Sequence, residues 1–161
     1  MNKTENQMLV IFGASGDLTA RKLIPAIFAL AKDGHLPENF VVLGASRSAW
    51  SDDEFRKNVV SESKHLKNKI NDADKKTISN FTDRLFYHEL GNDQDSNYDP
   101  LKKRIDSLNE EHGTDGNYIF YLSTPPSAYG PISKNLHQQG LNKEDDGWRR
   151  LIVEKPFGYS L

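Results

Sequence analysis

Gly13, Ser15, Gly16 and Asp17 stand between an apolar run, residues 8–12, and an apolar-periodic helix pattern that begins at Leu18. A strand, a glycine turn and a helix in that order make a place for a phosphate. Glycine alone takes positive φ without steric cost and lets a ligand approach the backbone closely. A helix starting behind the turn directs N–H groups and the positive end of its dipole at the occupant. The spacing departs from G-x-G-x-x-G/A, because Ser15 takes the second glycine position and Leu18 the third. An ordinary glycine-bearing connection is the other reading; the buried type of strand in front and the helix behind favour a nucleotide.

Arg47 carries the next piece of chemistry. NAD-binding sheets usually end their second strand in Asp or Glu, which takes the ribose 2′-hydroxyl. No carboxylate lies between Phe40 and Ser51; a guanidinium flanked by Ser46 and Ser48 stands there instead. That chemistry suits a 2′-phosphate, so NADP is the expected cofactor; a plain surface arginine is the competing reading. Lys155, followed by Pro156, sits just after the last apolar run. Two readings fit it: a lysine aimed into the ligand crevice by a proline-fixed turn, which a cis bond could make, or a solvated lysine ending a strand. Lys22, in the first turns of the helix, is within reach of a phosphate, though a lone lysine is more often solvated. Thr124-Pro125-Pro126 either breaks a strand or walls a nicotinamide site. Asp17 would repel a phosphate if aimed inward, so it is expected to turn sideways and cap backbone N–H groups. The five histidines are scattered without metal-ligand spacing, and no metal site is expected. Trp50 and Trp148 read as packing residues.

The elements that must position these groups follow from periodicity. Residues 8–12 are continuously apolar, as in a parallel strand buried on both faces. Leu23, Ile27 and Leu30, with Ile24, Phe28 and Ala31, form a wide stripe that belongs against a sheet. Pro25 predicts a local kink or lost hydrogen bond, and Gly34 with Pro37 the stop. Residues 40–43 read as the second strand. Ser51-Asp52-Asp53-Glu54 reads as a capping box whose acids serve the helix dipole rather than catalysis. Residues 61–84 read as solvent-facing helix broken near Asn71-Asp72. Residues 85–87 are the third strand and 91–97 a loop. Asp99-Pro100 reads as a cap and a first-turn proline opening a helix with Leu101, Ile105 and Leu108 on its apolar face. Residues 118–122 are the fourth strand, Tyr129, Ile132 and Leu136 mark the next helix, which Gly140 ends, and 151–153 are the fifth strand.

Five apolar strands separated by helices predict an α/β fold: one doubly wound parallel sheet, a Rossmann-like dinucleotide-binding domain over residues 1–161. Right-handed crossovers would put helices on both faces. The glycine turn, Arg47, Thr124-Pro125 and Glu154-Lys155-Pro156 all fall at carboxyl ends of strands, where ligands bind in such folds. A six-stranded version would need one more strand, so the chain reads as truncated before a catalytic, substrate-binding domain.

Composition narrows the class. With 161 residues the chain can bury one sizeable core. Its 21 basic and 23 acidic residues leave a net charge of -2, with no long run of one sign to suit nucleic acid or a membrane surface. It has no cysteine, which excludes disulfides and thiolate metal sites. Residues 8–12 are too few for a signal core or a membrane span, so a cytoplasmic protein is expected.

Gly13-Ala14-Ser15-Gly16-Asp17-Leu18-Thr19-Ala20-Arg21-Lys22-Leu23-Ile24-Pro25 resembles the G-x-x-G-D-L-x-x-[KR]-K-[LI]-x-P start of the glucose-6-phosphate dehydrogenase family. Asp52-Asp53-Glu54-Phe55, Asp115-Gly116-Asn117 with Ile119-Phe120-Tyr121-Leu122-Ser123, and Val153-Glu154-Lys155-Pro156-Phe157-Gly158 are similar to later blocks of that family, in its order. The resemblance implies NADP-dependent oxidation of D-glucose 6-phosphate at C1 to 6-phosphogluconolactone, the first step of the pentose phosphate pathway. It implies a cofactor turn of Gly13, Ala14, Ser15, Gly16, Asp17, Leu18 and Thr19, with Arg47 on the 2′-phosphate. Gly91, Asn92, Thr124 and Pro125 would lie beside the dinucleotide, and Lys22 and Lys155 near the reacting groups of cofactor and sugar phosphate. The family's catalytic histidine, in an Asp-His-Tyr-Leu-Gly-Lys type of motif, and the domain that makes its homo-oligomers are not among these residues. The 161 residues alone are therefore expected to be inactive. Another NADP-dependent sugar oxidoreductase with a Glu-Lys-Pro motif, or a non-catalytic NADP-binding sensor, stay open as alternatives.

Overall fold

The computed structural model describes residues 5–71, 73–91 and 97–153. Five parallel strands form one sheet in the order β3-β2-β1-β4-β5: β1 is Gln7–Phe12, β2 Phe40–Ser46, β3 Leu85–Glu89, β4 Tyr118–Leu122 and β5 Arg149–Val153. Side chains alternate across a strand, and here both faces are covered. Met8, Val10 and Phe12 pack with Leu101, Ile105, Ile132 and Leu136, while Ile11 on the opposite face packs with Ile24, Phe28, Phe55 and Phe81. That two-sided burial is why β1 has no polar position after Gln7.

The helices on the first face are α5, Asp99–His112, and α6, Tyr129–Gln138; on the other lie α1, Ile24–Lys32, α2, Asp52–Arg56, and α4, Lys75–Thr82. A fourth short helix on the chain between α2 and α4 is α3, Lys67–Asn71. The expected break near Asn71 is present: α4 restarts at Lys75 behind Asp74, whose carboxylate accepts the Thr77 N–H at 2.7 Å. Residues 61–84 are less solvent-facing than expected, because Leu66 and Phe81 are fully or almost fully buried.

Pro25 disturbs its helix as its chemistry demands. Proline has no N–H and its ring clashes with the carbonyl four residues back. The turn before it, Thr19–Leu23, is π-helical, and the Ile24 N–H reaches back to the Thr19 carbonyl. The α-helix proper starts only at Ile24, with Pro25 in its first turn. One member of the expected stripe is misplaced: Leu30 is 45% exposed. Ile24, Ile27, Phe28 and Ala31 share the face that packs on the core, and Leu30 falls to the side of it.

Other boundaries shift by a few residues. β2 runs on to Ser46 and β3 to Glu89, because pairing Ala45 with His88 and Ser46 with Glu89 satisfies backbone groups whatever the side chains are. Asp99 is not the cap of α5. It is the first helical residue, behind Tyr98, and its N–H is taken by the Asn97 side chain at 3.0 Å. β5 has β4 as its one neighbour among the described residues and leaves Leu151, Ile152 and Val153 more than two-fifths exposed.

The capping box at Ser51 is present in full: its hydroxyl accepts the Glu54 N–H at 3.1 Å, and the Glu54 carboxylate accepts the Ser51 N–H at 3.1 Å. Ser51→Ala should cost about 1 kcal/mol, lowering the melting midpoint by roughly 2–4 °C. An unchanged midpoint in thermal unfolding followed by circular dichroism would show that the box does not hold α2. Asp52 does more than face the helix dipole. It accepts the Tyr87 backbone N–H at 2.7 Å and pairs with Arg104 at 2.9 Å, joining α2 to β3 and α5.

Candidate functional site: the cleft at the carboxyl ends of β1, β2 and β4

β1 lies between β2 and β4, so the chain leaves it in opposite directions for its two neighbours. Such a switch point opens a crevice at the strand ends. Here it is a cleft of about 440 Å³. Its floor is Phe12, Gly13, Ser15 and Gly16; one wall is Ser46 and Arg47, the other Ser123, Thr124 and Pro125.

Gly13 has φ +80°, and Gly16 closes the turn by donating its N–H to the Gly13 carbonyl at 3.0 Å. The turn's other donors are spent on protein as well: the Gly13 and Ala14 N–H groups both reach the Ala45 carbonyl, at 2.9 and 3.5 Å, and the Ser15 N–H reaches Ser46 Oγ. Ala14 itself is fully buried, and Thr19, also buried, donates its hydroxyl to the Gly13 carbonyl at 3.5 Å. These two residues shape the turn from behind and do not line the cleft. Leu18 also lies outside the lining.

Asp17 does not cap backbone N–H groups. It pairs with Arg21 at 2.8 Å, one turn along the helix and exposed. Asp17 is already helical, so its carboxylate stands beside the next turn rather than ahead of the first N–H groups. Lys22 is exposed and outside the lining as well. Asn92 and Lys155, with Pro156, lie outside the described residues.

Hydroxyls, not glycine alone, organise the β2 side. The Ser15 N–H donates to Ser46 Oγ at 3.3 Å, and Ser15 Oγ lies 2.8 Å from Ser46 Oγ and accepts from Ser48 Oγ at 2.9 Å. Tyr87 closes the set from β3. Its hydroxyl lies 2.6 Å from Ser46 Oγ and donates to the Ser48 carbonyl at 2.7 Å. Burial pushes the Tyr87 phenol above its ordinary pKa.

Arg47 lies between the two serines, exposed, with no hydrogen bond or ion pair to another described residue. Among the described residues nothing engages its planar fork, which suits an anion. Among the described residues that line the cleft there is no carboxylate. On the β4 side, Ser123 Oγ and Thr124 Oγ1 are buried with no partner among the described residues. A buried hydroxyl without a partner costs about 1–3 kcal/mol, so a ligand with polar atoms would relieve both.

Of the residues picked from the sequence, the cleft gathers Gly13, Ser15, Gly16, Arg47, Gly91, Thr124 and Pro125. It adds an apolar side the sequence did not reveal: Leu90, Tyr98, Pro131 and Ile132. Tyr98 is 5% exposed, stacks on Phe12 with ring centroids 6.0 Å apart, and has its phenol pushed up to about 12 by burial. These side chains come from helix beginnings and a strand end, where their apolar character reads as ordinary core. The volume, the exposed guanidinium, the hydroxyl-bearing walls and the lack of acid among the described lining residues together fit a phosphate-bearing dinucleotide.

The comparisons with known proteins agree with this geometry. The chain is 47% identical to glucose-6-phosphate 1-dehydrogenase of Aggregatibacter actinomycetemcomitans over 157 residues, covering 98% of this chain and 31% of that protein. It is 35% identical to the enzyme of the same name from Bacillus subtilis over 160 residues, 99% of this chain and 31% of that one. A solved glucose-6-phosphate dehydrogenase in complex with its substrate glucose-6-phosphate superimposes with a TM-score of 0.79 at 33% identity, covering 98% of this chain and 32% of that chain. The structure of glucose-6-phosphate 1-dehydrogenase from Mycobacterium avium gives 0.73 at 27% identity, over 95% and 30% of the two chains. The chain thus spans just under a third of the length of these relatives. Among the described residues no helix is long and apolar enough to cross a membrane. The model of the family glucose-6-phosphate dehydrogenase, NAD binding domain, matches residues 10–161, nearly the whole sequence. By that match the chain belongs to the glucose-6-phosphate dehydrogenase family, as its nicotinamide-dinucleotide-binding domain.

Proposed function

We propose that residues 1–161 form the NADP site of an enzyme that oxidises D-glucose 6-phosphate at C1 to 6-phosphogluconolactone. The observation that carries the cofactor choice is Arg47: at the end of β2, between Ser46 and Ser48, its guanidinium has no partner among the described residues, and no carboxylate is among those that line the cleft. The fork would hold the ribose 2′-phosphate. The turn around Gly13 and Gly16 would receive the diphosphate, and Thr124 and Pro125 would bound the nicotinamide end, beside Gly91 and Asn92. When bound, the cofactor accepts the hydride from the sugar.

The residues of this chain would bind and orient. Lys155 would hold the sugar phosphate against the nicotinamide, and Lys22, from the exposed side of the turn, would contribute positive potential near the phosphates. Losing a hydride from C1 also requires a base for the hydroxyl proton. None of the five histidines lines the cleft, so the base is assigned to a residue outside it. A homo-oligomeric enzyme working in the cytoplasm fits this reading of the full-length protein.

Arg47→Ala tests the cofactor choice. A charge-assisted pairing contributes about 1.5–3 kcal/mol, so NADP affinity should fall roughly ten- to a hundredfold. NAD affinity should stay within about twofold. Calorimetric titration of both cofactors into the wild type and the variant reads the ratio directly. An unmoved ratio would reduce Arg47 to a surface residue.

A further inference from the structure

Arg47 has nothing holding its side chain among the described residues, yet its usefulness depends on where its backbone points it. The anchor lies one strand away. Tyr87 is 3% exposed and sits opposite Gly44 in the parallel register of β2 and β3. Its ring packs against Phe55, with centroids 5.3 Å apart, and Trp50, at 5.5 Å, which also touch each other. Its backbone N–H is fixed by the Asp52 carboxylate at 2.7 Å. From that rigid seat one hydroxyl reaches both neighbours of Arg47: the side chain of Ser46 and the carbonyl of Ser48. Ser46 passes the constraint to Ser15 through its two contacts with that residue.

We propose that Tyr87 is a positioning residue for cofactor selectivity: its hydroxyl clamps residues 46–48 in the shape that presents Arg47 to a 2′-phosphate. The inference rests on the NADP reading of Arg47. Tyr87 does not line the cleft and acts only through these groups. A ligand group that is already aimed loses less freedom on binding, so a clamp of this kind shows itself in affinity. It should show only for the cofactor that has a phosphate at that place.

Tyr87→Phe removes the hydroxyl and keeps the ring against Phe55 and Trp50. In the full-length protein it should weaken NADP binding about five- to tenfold, the worth of one to two buried hydrogen bonds, and NAD binding by less than about twofold. A residue that merely supports the fold would weaken both alike. The decisive measurement is a double-mutant cycle in which both cofactors are titrated calorimetrically into wild type, Tyr87→Phe, Arg47→Ala and the double variant. Once Arg47 is gone, removing the Tyr87 hydroxyl should change NADP affinity by less than about twofold. Equal loss for both cofactors, or the full loss persisting without Arg47, would overturn the proposal. An Arg47→Ala variant with unchanged selectivity would instead sink the NADP reading itself, and the two failures are told apart in the same experiment. Should Tyr87→Phe not fold, Ser46→Ala takes away the hydroxyl's partner from the other side, and the same two outcomes decide.

Discussion

Gly13→Ala should destabilise the protein by about 3 kcal/mol and abolish measurable cofactor binding. Two costs add. The residue has φ +80°, where a side chain costs roughly 1–2 kcal/mol. A Cβ there would also stand 2.3 Å from the Ser123 carbonyl oxygen and 2.9 Å from Thr124 Cγ2. The oxygen belongs to the backbone just past β4, and the Ser123 N–H is tied to the Phe12 carbonyl at 2.9 Å. It cannot swing away, so overpacking adds a further ~1–3 kcal/mol. For a domain of this size the melting midpoint should fall by roughly 6–12 °C. Because the displaced atoms form the floor and one wall of the cleft, binding should go with it. Thermal unfolding by circular dichroism and a calorimetric NADP titration check the two halves. A midpoint within about 2 °C of wild type would mean that β4 yields without cost.

Lys155→Ala in the full-length enzyme should lower kcat/KM at least about a hundredfold, or ~2.7 kcal/mol. The strand before it, β5, ends at Val153 in register with Leu122, one residue short of the wall made by Ser123 and Thr124. An ammonium that holds the sugar phosphate works by position and charge, and its loss falls on the reaction more than on the cofactor. NADP binding should therefore change by less than about threefold. Lys155→Arg should rescue only in part, since a planar fork does not replace a compact point charge. Steady-state kinetics for both variants, with cofactor titrations, separate the two effects. Wild-type kinetics in a folded Lys155→Ala protein would leave this lysine a solvated turn residue.

Much of this molecule was legible before folding. The continuous apolar runs announced parallel strands buried on both faces, and all five occur, with ends displaced by a few residues at most. Backbone pairing, which ignores side-chain type, carried β2 and β3 past their apolar residues. Pro25 announced a disturbed helix, because a missing N–H is a local fact that no packing restores. Gly13 was legible as a special position, but for a reason that proved incomplete: the body that comes closest to it is the protein's own β4 backbone.

The amino-acid sequence by itself determined the local order of strand, turn and helix, the glycine at the turn and the guanidinium where an acid usually stands. These depend on residues near one another along the chain. Only the tertiary structure decided what faces the turn. Sheet order put β2 and β4 on either side of β1, so Ser46 and Thr124 became opposite walls of one cleft. It also carried Tyr87 from β3 to the back of Arg47, 40 positions earlier in the chain, where a single phenol can hold both its neighbours. Periodicity registers burial, and a buried tyrosine looks the same in a sequence whether its hydroxyl is idle or holds a site in shape.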